Sequence, residues 1–265
     1  MYINPAWRIL TIGDGDLSFS YSLLKHYQPA ALTATIFDDY ASLADKYSED
    51  HYQQLLAQGC DVLTSFDVTN SQTWEGLNKH QFDVVIFQFP LLPAFNSVEE
   101  FNQQCGNKLK SVSLNTLHRR LLRDYLLNCF NEFLDQKGAQ LALITSKDVK
   151  PYRQWNIEQA LTLKTNINYI GSMPFEIEKF PGYKIRNVDR DKHVKDTQGI
   201  TYAFSRKITT ELDALLLKPE YLKAHYCGAC RVGPLHSEQD KLNHIGSKRH
   251  QQMQIFEQQW LEDIK

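Results

Sequence analysis

The sequence has no apolar stretch long enough to cross a bilayer. Its longest apolar runs, Leu141 to Thr145 and Val84 to Phe87, fall far short of the roughly 20 residues a spanning helix needs. It has no excess of either charge, with 29 Lys and Arg against 31 Asp and Glu for a net charge of −2. That balance excludes a polybasic binding protein and leaves room for a local basic module. Internal repeats and low-complexity tracts are absent. The opening residues MYINPAWRIL lack the charged start, apolar stretch and small-residue cleavage site of a secretory signal, so a soluble cytoplasmic protein is expected. Cysteines are few and odd in number: Cys60, Cys105 and Cys129 are isolated, while Cys227 and Cys230 stand close together. Such usage fits a reducing compartment rather than a disulfide framework, and the three isolated thiols read as small buried hydrophobes.

What is present suffices for a substantial core: 265 residues, 42% hydrophobic, 12% aromatic and 23% charged. The length allows one large domain, or one domain and a small appendage. Strands are expected at Arg8 to Ile12, Leu32 to Phe37, Asp61 to Ser65, Phe82 to Phe87 and Ala139 to Thr145. Between them lie helical patterns through Leu23, Leu24 and Tyr27, from Ala41 to Ala57, and from Thr116 to Leu134. Trp155 to Leu163 suggests a further helix, and Asn168 to Met173 with Ile200 to Ser205 a closing strand pair. This alternation specifies an α/β fold: a doubly wound, mostly parallel sheet with helices on both faces. Beyond Arg206 the pattern changes. Ile208 to Leu217 reads as one more helix, giving an α/β domain over 1–206, a helical linker over 207–222 and a small unit over 223–265.

The first strand runs into Gly13-Asp14-Gly15-Asp16-Leu17-Ser18, a Gly-x-Gly turn opening a helix. Glycines there permit positive φ and close approach of a ligand to the backbone, and the helix start offers free N–H groups. The same turn can serve only to reverse the chain. The second strand ends at Asp38, twenty-three residues after Gly15, near the spacing at which an acidic side chain meets a ribose hydroxyl pair. The third is followed by Asp67. A parallel sheet would align Gly13, Asp38 and Asp67 on one edge and so favour a nucleoside cofactor, although Asp38 or Asp39 could instead cap the following helix. Asp14 and Asp16 would repel a pyrophosphate but could accept from an ammonium, which prefers S-adenosylmethionine over a nicotinamide dinucleotide. The fourth strand ends in Gln88-Phe89-Pro90. An amide, an aromatic and a proline at that place could orient a planar base, making these three the catalytic candidates; otherwise they are an apolar strand meeting a proline-ended loop.

Taken together, Ile9 to Ser20, Ala34 to Asp38, Phe82 to Pro90, Pro151 to Trp155 with Ile157, and Phe180-Pro-Gly-Tyr183 resemble, in order, the motifs of the Rossmann-like family of the yeast 25S (large-subunit) rRNA uridine-N3 methyltransferase. The resemblance spans roughly residues 8 to 206. It implies a class I methyltransferase fold holding S-adenosylmethionine, with Gly13, Asp14 and Gly15 in the cofactor turn, Asp38 at the ribose and Asp67 near the adenine. Two departures stand out: Leu17 where the family usually has Phe, and Gln88-Phe89-Pro90-Leu91 where it has Asn-Phe-Pro-His. Gln can replace Asn as donor and acceptor, but Leu91 cannot replace a histidine as acid, base or ligand. A ring-nitrogen acceptor needs its lone pair in line with the methyl sulfonium, and a paired base must first be flipped out. Phe89, Tyr152, Trp155 and Tyr183 could stack on such a base or belong to the core.

The C-terminal unit carries Cys227-x2-Cys230-x13-His244-x5-His250, which matches a tetrahedral Zn2+ site in a small ββα unit, two thiolates on a turn and two imidazoles on one helix face. Leu235 and Leu242 would supply its small core, and the metal much of its folding free energy. His225 and His236 are alternative ligands. With its Gly246-Ser-Lys-Arg-His250 ending the segment resembles the matrin or U1-type C2H2 zinc finger, with a middle spacer one residue longer than usual. From Lys223 to His250 there are five positive residues against two negative, a face suited to phosphate, and RNA, structured RNA such as rRNA above all, is the expected partner; the nucleolus is then a second expected location. The plainer reading is a solvated helix on a finger that docks to another protein. For the whole chain the leading expectation is an S-adenosylmethionine-dependent RNA methyltransferase with a zinc finger aiding RNA binding. The alternatives are a non-catalytic RNA-binding or scaffold protein on the same fold, and a nicotinamide-dependent oxidoreductase.

Overall fold

The computed structural model describes residues 1–92, 112–186 and 199–265; Cys105 lies outside them. Seven strands form one sheet: β1 (Arg8–Ile12), β2 (Ala31–Thr35), β3 (Asp61–Leu63), β4 (Val84–Gln88), β5 (Leu141–Lys147), β6 (Asn168–Phe175) and β7 (Gly199–Ser205). Their order is β3-β2-β1-β4-β5-β7-β6. The first five run parallel, and β7 enters antiparallel between β5 and β6. The expected doubly wound α/β sheet, with its closing strand pair, is what forms.

The apolar pattern fixes which face each residue takes. Ile9, Val84, Ile86, Leu141 and Leu143 pack into one core with Phe19, Leu23 and Phe180. Their strand neighbours Leu10, Val85, Phe87, Ala142 and Ile144 pack into the other with Tyr125, Phe130 and Trp155. Successive side chains point to opposite faces, and a parallel sheet covered on both sides needs both of those faces apolar. At the amino edge, Arg8 grips Asp83 through Nε at 2.8 Å and reaches Asp135 at 2.8 Å, joining β1 to the loops before β4 and β5.

The helices are α1 (Ser18–Tyr27), α2 (Tyr40–Lys46), α3 (Asp50–Ala57), α4 (Leu114–Asn128), α5 (Ile157–Ala160), α6 (Glu238–Ile245) and α7 (Lys248–Asp263). Several differ from the sequence pattern for local reasons. The single helix expected over Ala41 to Ala57 is two, because the Ser48 hydroxyl accepts the Asp50 N–H at 3.1 Å and competes with the helical ladder. Helix α4 ends in a π-helical turn, Cys129–Phe133, which keeps Cys129, Phe130 and Phe133 buried. Left-handed Asn156 reduces the Trp155 to Leu163 helix to a 3-10 turn and the short α5.

The helical linker is overturned. Residues 208–217 hold turns and no helix, with Thr210 and Asp213 closing a local loop. Leu217 leaves the run to pair with Ser172 at the edge of β6, at 2.9 and 2.8 Å, while Ile208 stands 96% exposed. Among the described residues no helix is long and apolar enough to cross a membrane.

Helix α4 is pinned to the sheet by one hydroxyl: buried Tyr125 is placed to donate to the carbonyls of Val85 and Leu143, at 2.8 and 3.0 Å. Removing that donor with Tyr125→Phe is expected to lower the unfolding free energy by about 1 kcal/mol, and removing the ring with Tyr125→Ala by roughly 3–5 kcal/mol. Urea denaturation followed by circular dichroism measures both.

Candidate functional site

Strand β1 ends in the glycine turn, and its geometry is set by a close approach to β4. Gly13 has φ +60°, and a Cβ there would lie 3.0 Å from Phe87 Cε2. Glycine meets both demands without strain. The turn is held to β2 by Asp14 N–H on the Thr35 carbonyl at 2.9 Å, and Leu17, with φ 63°, opens α1. The two acids of the turn, expected to face an ammonium, have partners within the chain. The Asp14 carboxylate accepts the Ser20 N–H and hydroxyl at 2.6 and 2.5 Å. Asp16 accepts the Ser18 N–H at 3.1 Å and pairs with Arg186 Nε at 2.7 Å. Burial, with Asp16 adjacent, pushes the Asp14 carboxyl up to about 7 despite those hydrogen bonds.

The other strand ends open onto the same space. Asp38, just beyond β2, holds Lys46 Nζ at 3.0 Å, while its neighbour Asp39 caps α2 by accepting the Ser42 N–H at 2.7 Å. The capping alternative thus falls to Asp39. Asp67, beyond β3, accepts from the Thr69 N–H and hydroxyl at 2.8 and 2.7 Å. Gln88 closes β4, and its buried Oε1 has no hydrogen-bond partner among the described residues. Phe89 carries a left-handed backbone, φ 45°, and its ring meets Phe175 edge-on at 5.5 Å. Strain of that kind in a non-glycine residue persists only where the surroundings impose it, and it gathers at working sites.

Gly13, Asp14, Gly15, Asp16, Asp38, Asp67, Gln88, Phe89 and Pro90 all line one cavity of about 490 Å3, as do Leu91 and Tyr183. It lies at the carboxyl edge where the strand order reverses, between β1 and β4. Tyr152 and Trp155 are not among its lining residues. Trp155 is buried in the core, stacked on His118 at 4.6 Å, with Tyr152 edge-on to it. The cavity also takes in residues the sequence reading passed over: Arg120 and Asp124 on α4, and Lys184 and Arg186 beyond Tyr183. Burial raises the Asp124 carboxyl. A signal for the first two existed, because positions 120 and 124 interrupt with charge the same helical stripe as Leu117 and Leu121. Arg186 lies over the Tyr47 ring at 4.9 Å and against Gly15, which no local pattern announces.

The four cysteine and histidine side chains also converge. Their donor atoms lie within 4.8 Å of one another. His250 Nδ1 is 3.6 Å from each sulfur and 3.1 Å from His244 Nε2. Tetrahedral bonds of about 2.0–2.3 Å separate donors by roughly 3.3–3.8 Å, so the set fits a single ion. Burial and then Cys227 push the Cys230 thiol up to about 12, and burial lowers His244; a central cation would reverse the cost of a thiolate. The surrounding unit departs from the ββα expectation. One bridge, Cys227 to Val232, stands for the strand pair. The imidazoles sit on two helices, His244 on α6 and His250 on α7, because Gly246 ends the first and Ser247 caps the second. Leu242 is 62% exposed and forms no core. His225 and His236 are outside the cluster.

A family model described as BMT5-like, rRNA (uridine-N3-)-methyltransferase, matches residues 10–187. The chain is 28% identical over 185 residues to an uncharacterized protein of Arabidopsis thaliana, covering 69% of this chain and 82% of that one. It is 28% identical over 217 residues to the ferredoxin-fold anticodon-binding domain-containing protein 1 homolog of Mus musculus, covering 77% of this chain and 32% of that one. The chain thus spans about a third of the mouse protein's length. Among solved structures, a methyltransferase from Pyrococcus furiosus aligns with a TM-score of 0.44 at 14% identity, covering 78% of each chain.

Asp14 makes folding pH-dependent. Its carboxyl is raised from an ordinary 3.8 to about 7, so its contribution is fully present below about pH 4 and is lost as pH rises through 7. Urea titrations of the wild type and Asp14→Asn across pH 4 to 8 are expected to diverge by a few kcal/mol. The wild type should lose stability relative to the variant as pH rises, and parallel curves would refute the assignment.

Proposed function

The chain belongs to the BMT5-like rRNA (uridine-N3-)-methyltransferase family, and from that premise we propose that it transfers a methyl group from S-adenosylmethionine to a base in structured RNA, of the uridine-N3 type in rRNA. The observation that carries this reading is the convergence of Gly13, Asp38, Asp67 and Gln88, from the ends of four neighbouring strands, on one cavity. Bound there, S-adenosylmethionine would supply an activated methyl group on a sulfonium. Gly13 and Gly15 leave the backbone open to a ligand at the start of α1, and Asp38 offers its carboxylate to a hydroxyl pair. The buried, unpartnered Gln88 Oε1 fits an N–H of a planar base, with the strained Phe89 backbone fixing its direction. With Leu91 in place of the family's histidine, positioning rather than acid–base work at that point supports transfer.

The chain divides, in this proposal, into a methyltransferase unit over 1–206, a link over 207–222 whose one helical turn is the 3-10 turn Glu220–Leu222, and a metal-bearing unit over 223–265. Zn2+ suits the thiolate and imidazole donors of Cys227, Cys230, His244 and His250, and residues 223–250, with five Lys and Arg against two Asp and Glu, have a balance suited to phosphate, although Arg231 among them is turned inward.

Isothermal titration with S-adenosylmethionine should give one site, weakened at least roughly tenfold by Asp38→Ala; no heat from the wild type sinks the reading. Nucleoside mass spectrometry of RNA incubated with the protein and cofactor should show a new methylated base, and cofactor binding without transfer would favour the non-catalytic alternative. Metal analysis should give one zinc per chain, lost in Cys227→Ser.

A further inference from the structure

The residue after a cluster ligand leaves the C-terminal unit altogether. Arg231 follows Cys230 with a left-handed backbone, φ 51°, and its side chain, 10% exposed, enters the sheet unit. There it donates to Asp148 at 2.7 Å, to Glu158 at 2.8 Å and to the Tyr202 hydroxyl at 3.1 Å. Its guanidinium lies on the Tyr221 ring at 4.9 Å, and the Tyr221 hydroxyl donates to Glu158 at 2.6 Å. Three separate parts of the sheet unit are gathered on this one cation: Asp148 directly after β5, Glu158 on α5 and Tyr202 on β7.

The Glu158 side chain is only 1% exposed. A carboxylate so far from water depends on its cation, and withdrawing one member of such a pair leaves an uncompensated buried charge. The C-terminal unit contributes little core of its own, since α6 buries no residue. Gly228, between the two cysteines, packs directly against Gln159 Oε1, and Arg249 donates to the Cys230 carbonyl from beside His250. The conformation that gathers the four ligands is therefore the one that aims Arg231 inward.

We propose that the cysteine–histidine unit is docked on its own methyltransferase domain through Arg231, so that metal binding and the stability of the sheet are thermodynamically linked. This rests on the metal reading of the four ligands. A freely tethered finger would show no such linkage. Linkage is reciprocal, so the Arg231 contacts must raise metal affinity as much as the metal strengthens the contacts.

The test uses the full chain: zinc content by elemental analysis, thermal unfolding with and without a chelator, and zinc affinity by chelator competition. The wild type should hold one zinc and unfold in one main transition, which chelation lowers by roughly 5–10 °C. The double variant Arg231→Met/Glu158→Gln removes both charges together and so avoids the stranded carboxylate of Arg231→Met alone. It should keep one zinc at roughly tenfold weaker affinity, and chelation should then lower its main transition by no more than about half the wild-type drop, the contacts of Glu257 and Trp260 on α7 carrying the rest. A wild type with zinc whose main transition ignores chelation overturns the linkage while leaving the metal reading intact, as does a double variant with unchanged zinc affinity. A wild type without zinc overturns both.

Discussion

At the carboxyl edge of the sheet, where β1 pairs with β4, the Phe87 ring fills the space a Cβ at Gly13 would need. The rest of the site is built outward from that contact. A Cβ at 13 would force the Phe87 ring to give way, and the left-handed turn it would strain is the one that directs Asp14 and Asp16 back to the first turn of α1. Because that turn is secured by the chain's own hydrogen bonds, the backbone beside the cavity keeps its form without help from a ligand, which is what preorganisation requires.

Much of this was legible in the sequence, for specific reasons. Strands buried on both faces read as continuous apolar runs, so β1, β4 and β5 were placed to within a few residues. Acids just past strand ends were correctly expected on one edge, because parallel strands bring their carboxyl ends together. What was missed depends on contacts between distant segments. Nothing near Asp16 indicates that Arg186 will neutralise it, and nothing in Ile208 to Leu217 indicates that Leu217 will pair with Ser172. Tyr152 and Trp155 look available to a substrate as aromatic residues beside a motif, but His118 on α4 stacks on Trp155 in the core, and half-buried Tyr152 packs edge-on to Trp155. The clustering of Cys227, Cys230, His244 and His250 is legible from spacing alone, whereas the break between α6 and α7 that sets the angle between the two histidines turns on one serine cap.

The C-terminal helix changes what the appendage is. Helix α7 lies along α4, where Glu257 meets the fully buried Arg119 at 2.7 Å, Asp263 pairs with Arg120, and Trp260, itself fully buried, donates to the Ala160 carbonyl at 2.8 Å. Arg120 lines the cavity, so the last turn of α7 touches a residue of the candidate site. The two regions differ in sequence character but share an interface of buried charge and one large ring.

The placement of β7 bears on the order in which the chain can assemble. Strand β6 is made before β7, yet its ladder is to β7 and it has none to β5. Without residues 199–205 the parallel strands can pair, but β5 keeps an open edge and β6 lacks the strand it pairs with. An apolar strand edge waiting for a late partner is a point at which a nascent chain is exposed to wrong pairing. Closure of the sheet therefore awaits residues 199–205, and the docking of Arg231 beside Tyr202 can follow only once that strand is in place.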